Sequence, residues 1–349
     1  MSSLTVDVDG KGFPKEEDLD SLVGTLMQQL RENPPEWMAP NAGATDDATK
    51  VAIDVFDEQR QSKKEVANFS EKTKTHWLHV GKTAEKSREW YDKAADWWSD
   101  PGKAPATVDG VLGGFGELDP IDVEESSQFL TDICALLSST ATTATTATTT
   151  SKTDIPTRAL DGGAGIGRVA KHLLSRYYDK VDLVEGNQRL LDAAPAYMAG
   201  KGVATKSWSA DELAEVETIE EDVSEHLGEL YCDTLQSFVP KIGTYNCIWV
   251  QWVIIYLTDV DLIAFLKRCA DSLCEGGFIV IKENVLGDKG EHLEYLLDEE
   301  DSSLTRSKPY MKWIFEQSNL DVFVETKQEN WHRSMLPVMM YALVKKQGR

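Results

Sequence analysis

Leu160-Asp161-Gly162-Gly163-Ala164-Gly165-Ile166-Gly167-Arg168 is the stretch whose reading decides the fold. It continues a short β-prone run at residues 158–161 and opens a helical pattern that reaches about Tyr178, so the glycines stand where a strand ends and a helix begins. At such a turn the missing side chains let a ligand approach the backbone, and the helix N-terminus offers free N–H groups to an anion. Residues 181–185 read as the next strand. It ends on Glu185, 22 residues after Gly163, where an acid can accept from both ribose hydroxyls of a nucleoside. Dinucleotide sites use G-x-G-x-x-G, whereas this turn reads G-x-G-x-G followed by arginine, a spacing that fits S-adenosylmethionine better.

Outward from the turn, strand-like and helix-like segments alternate. Residues 247–251 predict a strand and 261–273 a helix, and 278–281 predict another strand. Upstream, Phe129, Ile133, Leu136 and Leu137 place a helix over 122–137. The late β-rich segments 320–326 and 338–344 have no helical pattern between them and are expected to pair as an antiparallel hairpin. The expected fold is therefore α/β: a doubly wound, mostly parallel seven-stranded sheet of class I methyltransferase type, closed by a C-terminal antiparallel hairpin.

Around this domain, at residues 76–349, the sequence predicts an extension over 1–75, partly disordered, with an amphipathic helix at 18–30. Insertions are expected near 138–152, a Ser/Thr/Ala tract, and 211–229, an acidic run. Asp7 to Gly12 resembles the start of a calcium loop, but Lys11 occupies its fifth position and Asp18 its twelfth, so it reads as a turn.

Against 36 Lys+Arg stand 59 Asp+Glu in 349 residues, a net charge of −23. Such a surface repels nucleic acid and attracts cationic partners. The longest apolar stretch, residues 247–257, is interrupted by Gln251 and far shorter than the roughly 20 residues of a membrane span. With no signal peptide at Met1-Ser2-Ser3-Leu4, the expectation is a cytoplasmic protein, present also in the nucleus, with no membrane partner. The five scattered cysteines form no C-x-x-C pair and read as reduced and structural, with no metal site.

Four blocks resemble the protein α-N-terminal methyltransferases that modify Xaa-Pro-Lys: residues 107–114 with Trp97-Trp98 before them, 160–168, 248–254, and Ile281-Lys282-Glu283-Asn284 with 297–303. The resemblance runs from about Tyr91 to Leu343. It implies that Gly163, Gly165 and Arg168 hold the methionine part of S-adenosylmethionine, Glu185 the ribose, and Leu235 and Gln236 the adenine, while Gln251 closes over the cofactor. In the substrate groove it implies that Trp252 stacks on the proline and Asn284 bonds the first residue. Asp298 and Asp301 would meet the third-position Lys or Arg, and Leu112 and Trp98 would cover the peptide. Expected partners are proteins with Xaa-Pro-Lys/Arg N-termini, ribosomal or chromatin proteins among them. One departure stands out: Tyr256 occupies the place of the family's histidine, leaving Asp301, Tyr256 and Asn284 as the expected catalytic groups, with Asp301 accepting the proton. Methylation of a small molecule or internal side chain, or non-catalytic binding of basic N-termini, are the alternatives.

Overall fold

The computed structural model describes residues 65–68, 84–144, 157–201, 221–286, 294–331 and 335–346. The calcium-like stretch, the helix expected over 18–30 and most of both insertions lie outside these residues. In chain order the elements are β1 (Glu65–Asn68), α1 (Ala84–Ser99), α2 (Val108–Val111), α3 (Asp119–Ala144), β2 (Arg158–Gly162), α4 (Arg168–His172), β3 (Lys180–Glu185), α5 (Gln188–Met198), β4 (Leu227–Cys232), β5 (Tyr245–Gln251), α6 (Asp259–Ser272), β6 (Leu273–Asn284), β7 (Glu294–Asp298), β8 (Ser303–Arg306), α7 (Lys308–Gln317), β9 (Leu320–Lys327) and β10 (Val338–Lys345).

Seven strands form one sheet in the order β4-β3-β2-β5-β6-β10-β9. The pairs from β4 to β6 are parallel, and β10 runs antiparallel to both β6 and β9. The expected fold and terminal hairpin are both present. Chain order reverses between β2 and β5, and the carboxyl ends of those strands flank the crevice where open α/β sheets bind ligands.

Both faces are buried, which is why the central strands read as continuous apolar runs. On one face Phe129, Leu130 and Ile133 of α3, with α4 and α5, pack on Cys247, Trp249, Val280 and Met340. On the other, Phe265 and Leu266 of α6 and Ile314 of α7 pack on Ile248, Ile279, Ile281 and Tyr341.

Several elements differ from the sequence reading. The helix expected to reach Tyr178 stops at His172 and continues as a 3-10 turn at Leu174–Arg176. Leu173 and Leu174 are both buried, and the break lets adjacent residues enter the core together. Helix α3 runs into the Ser/Thr/Ala tract as far as Ala144, and Leu227–Glu229, assigned to the acidic insertion, begin edge strand β4. A second antiparallel sheet, β1-β7-β8, was not foreseen. Its β8 is tied to the main domain by Arg306, which donates to the backbone oxygens of Ile254 (3.2 Å) and Leu257 (2.7 Å) and pairs with Asp259 (2.8 Å).

Candidate active site

At the carboxyl end of β2 the chain turns through Gly163 (φ 75°), Gly165 (φ 57°) and Gly167 (φ 82°), a conformation that β-carbons disfavour. At Gly163 a β-carbon would also lie 2.8 Å from the Val253 side chain, and at Gly165 it would lie 3.2 Å from Val111 of α2. The turn is anchored on β3: Gly163 and Ala164 donate their N–H groups to Val184 O at 2.9 and 3.0 Å. Glu185 accepts the N–H of Gly165 through Oε2 (2.9 Å) and that of Asn187 through Oε1 (2.8 Å). Burial raises the pKa of Glu185, and these backbone donors oppose the rise. Asp161, buried in β2, accepts the Ala170 N–H at 3.0 Å and is pushed by burial up to about 7.

This cradle fits the cofactor expected from the sequence. Glu185 is half-buried at a strand end, and its carboxylate, with about four acceptor positions, keeps capacity beyond the backbone N–H groups of Gly165, Gly186 and Asn187. Leu235 and Gln236 lie in the turn after β4, beside β3, with their side chains largely buried. Arg168, 4% exposed, meets both Asp119 (2.7 Å) and Asp122 (2.8 Å) through one terminal nitrogen, NH1. Its NH2 and Nε make no hydrogen bond among the described residues, which leaves donors for an anion.

Between crevice and groove lies a buried polar cluster. Asp122 of α3 pairs with Arg168 and with Lys282 of β6 and accepts from Gln251 Nε2 through both oxygens (3.0 and 2.9 Å). Trp249 Nε1 donates to Gln251 Oε1 at 2.9 Å, and Lys282 Nζ to Ser126 Oγ at 2.8 Å. Burial by itself would raise the Asp122 pKa, but Lys282 and Arg168 hold the carboxyl below its usual range, so it is ionised.

Trp252 follows directly after β5 with φ 53°, left-handed backbone that a bulky residue seldom adopts, and its N–H donates to Lys282 O at 3.0 Å. Arg168 and Lys282 stand 5.7 and 6.0 Å from its ring centroid. Tyr256 ends the turn Ile254–Tyr256; its ring meets Trp98 edge-on at 6.1 Å, and its backbone oxygen accepts from Trp90 Nε1 at 2.8 Å. Leu112 packs beside Val108 and Ile166, over the glycine turn. Asn284 ends β6, half-buried. Asp298 and Asp301 stand at the β7–β8 tip, where they accept the N–H groups of Glu300 (2.9 Å) and Ser303 (3.1 Å). Lys93 of α1 reaches the same tip, donating to Glu299 O at 3.2 Å.

The structure thus brings Arg168, Gln251 and Trp252 into one cluster, Gly165 onto Glu185, and Trp98 onto Tyr256. Sequence reasoning missed Asp119 and Asp122 as partners of Arg168. It also passed over Lys282, although a lysine inside an apolar strand is a signal, since lysine is almost never fully buried unless paired.

Residues 86–344 match the family described as AdoMet dependent proline di-methyltransferase. The chain is 36% identical over 260 residues to the alpha N-terminal protein methyltransferase 1 of Arabidopsis thaliana, covering 74% of this chain and 80% of that one. It is 33% identical over 259 residues to the N-terminal Xaa-Pro-Lys N-methyltransferase 1 of Xenopus tropicalis, covering 74% of this chain and 97% of that one. A SAM-dependent methyltransferase structure from Leishmania major is similar with TM-score 0.55 and 33% identity over 73% of this chain and 82% of that one. With the glycine cradle, the strand order and a match over most of its length, the chain belongs to the AdoMet-dependent proline di-methyltransferase family and is an S-adenosylmethionine-dependent enzyme.

Proposed function

We propose that this enzyme methylates the α-amine of proteins whose N-terminus reads Xaa-Pro-Lys or Xaa-Pro-Arg. The observation that carries the reading is Trp252, held in left-handed backbone at the carboxyl end of β5, its ring centroid 5.7 Å from the Arg168 guanidinium and 6.0 Å from the Lys282 ammonium. The names of the relatives support the substrate class. Lysine-rich substrates such as ribosomal or chromatin proteins, met in cytoplasm and nucleus, suit a chain with net charge −23.

When bound, S-adenosylmethionine supplies a methyl group already activated on a sulfonium. The Gly163 and Gly165 backbone and the free edge of Arg168 hold its methionine part, Glu185 its ribose, and Leu235 and Gln236 its adenine, with Gln251 closing the crevice. Trp252 stacks on the substrate proline and Asn284 bonds the first residue. Trp98 and Leu112 cover the peptide. Asp298 and Asp301 meet the basic third residue and compensate its charge, which in a partly buried groove would otherwise be costly.

Alignment of a neutral amine is the protein's main task. An α-amine has pKa about 7.7–8.0, so on the order of a tenth is neutral at pH 7, whereas an unperturbed tyrosine near 10 is a poor base. Asp301 therefore takes the proton and Tyr256 orients the amine. Mass spectrometry of a peptide panel incubated with enzyme and cofactor tests the reading. Methyl groups on the α-amine of Xaa-Pro-Lys peptides are expected; a methylated metabolite with every such peptide inert would overturn it. We place residues 1–75 outside this catalytic domain except where β1 joins the second sheet, so removing residues 1–64 should leave peptide turnover intact.

A further inference from the structure

Helix α1 ends one residue past Trp98, the side chain placed over the peptide, and it cannot secure that end by itself. In a continuing helix the Trp98 oxygen would accept the N–H four residues on. That N–H belongs to Gly102 and donates instead to Asp100 Oδ1 at 2.8 Å. The last turn of α1 also carries no basic residue to meet its carbonyls.

The donors come from the start of α5. Asn187 Nδ2 donates to the Trp98 oxygen at 2.8 Å and Arg189 NH2 donates to it at 3.1 Å. The same arginine nitrogen donates to Ala104 O at 2.6 Å, so it spans the loop that follows α1. Asn187 caps α5, its Oδ1 accepting the Arg189 N–H at 3.0 Å, while its own N–H donates to Glu185 Oε1 at 2.8 Å. A cation in the first turn of a helix faces the positive end of that helix's dipole, so α5 itself does not explain Arg189. The carbonyls at the end of α1 do. Trp98 packs with Leu190 of α5, Ile166 of the glycine turn and Leu112, and its ring meets Tyr256 on the groove side.

We infer that Arg189 is a positioning residue for the peptide: by tying the end of α1 to the start of α5 it fixes the Trp98 indole over the groove. The inference rests on the Xaa-Pro-Lys reading, in which Trp98 covers the substrate. Two other bonds hold α1 on the turn after β5, from Trp90 Nε1 to Tyr256 O at 2.8 Å and from the Thr258 N–H to the Tyr91 hydroxyl at 3.2 Å. With Arg189 removed, α1 stays attached through Trp90, Tyr91 and Asn187, but the loop over residues 99–104 loses its tie and the indole loses its fixed place. Because one nitrogen makes both bonds, a lysine ammonium with three donors can replace it. A neutral side chain of similar length cannot.

The test is steady-state kinetics of the full chain on an Xaa-Pro-Lys peptide with saturating S-adenosylmethionine, beside calorimetry of cofactor binding. Arg189→Met should raise the peptide KM by about three- to ten-fold, the worth of one hydrogen bond, with kcat and cofactor affinity within about two-fold of wild type. Arg189→Lys should bring KM most of the way back. Trp98→Ala should raise KM by about ten-fold or more, as loss of an aromatic anchor does. Adding Arg189→Met to it should raise KM no further, because the arginine acts through the indole. An unchanged KM in Arg189→Met overturns the inference, as does a lysine variant as weak as the methionine one. Effects that multiply in the double variant, or a loss of cofactor affinity as large as the rise in KM, overturn it too. A wild type that methylates no Xaa-Pro-Lys peptide overturns the substrate reading, and the positioning role with it.

Discussion

The crevice around β2 and β3 and the groove around β5 and β6 lie side by side, yet they are made differently. The crevice is made largely of backbone: three glycines at positive φ, with N–H groups tied to Val184 O and to Glu185. The proposed groove would draw on side chains of α1, β6, the turn after β5 and the β7–β8 hairpin. Backbone geometry tolerates drift elsewhere in the chain as long as the glycines remain. A groove assembled from distant side chains depends on every element that holds one. Asp122 joins the two regions, because it binds Arg168 on the crevice side and Lys282 and Gln251 on the groove side.

Breaking that joint should have the largest effect. Asp122→Ala leaves Arg168 and Lys282 buried with one fewer counter-charge, and removing one partner of a buried pair typically costs about 3–5 kcal/mol. Urea unfolding should show that loss; a cost under about 1 kcal/mol would mean that the two regions are not coupled through this carboxylate.

A smaller effect, confined to the crevice, is expected from Glu185→Ala. If the acid holds the ribose, its loss should weaken S-adenosylmethionine binding by roughly ten-fold or more, the worth of a charge-assisted hydrogen bond. Peptide KM should hold nearly constant. Calorimetry on the folded variant checks the first expectation, and an unchanged affinity would remove Glu185 from the cofactor site.

On the far side of the groove strand, Glu283 separates stability from chemistry. Its carboxyl is buried, its Oε1 accepts the Asn284 N–H at 2.9 Å, and burial pushes it up to about 8. Because the unfolded chain releases this proton near pH 4.3, the folded state binds more protons between about pH 4.3 and 8, and stability must fall as pH rises through that window. Asp161, raised to about 7, acts in the same direction. Glu283→Gln should flatten the decline in unfolding free energy between pH 5 and 8. An unchanged slope would show that Glu283 does not titrate there.

The smallest expected change is kinetic. Tyr256→His places an imidazole of pKa about 6.5 beside the amine and should move the pH-dependent rise of single-turnover rate to lower pH by less than about one unit. Superimposable profiles for wild type and variant would remove Tyr256 from the handling of the proton.

Much of the crevice was legible before any coordinates, because its signals are local. A glycine run at a strand end and an acid 22 residues on are both consequences of chain spacing. The groove was only partly legible. Trp252 directly follows the strand read at 247–251, whereas β6 runs on past the strand read at 278–281 to end at Asn284, and the expected roles of both residues came from resemblance. Nothing in the spacing tied Asp119 and Asp122 to Arg168, or Trp331 to Trp252. Edge strand β4 was hidden by its burial pattern: unlike β2, β3 and β5, it is half-exposed throughout and carries no apolar run.

By itself, the sequence determined the alternation of strand and helix, the parallel core and the nucleoside-binding turn, since each follows from hydrophobic period, strand spacing or the conformational freedom of glycine, all properties of neighbouring residues. Only the tertiary structure decided which charges neutralise one another and which side chains face the groove. Those pairings join residues more than 100 positions apart, as in Gln251 with Asp122 or Lys282 with Ser126. They exist because burial makes an unpaired charge too costly to leave alone, and strand order and register determine which partner lies within reach.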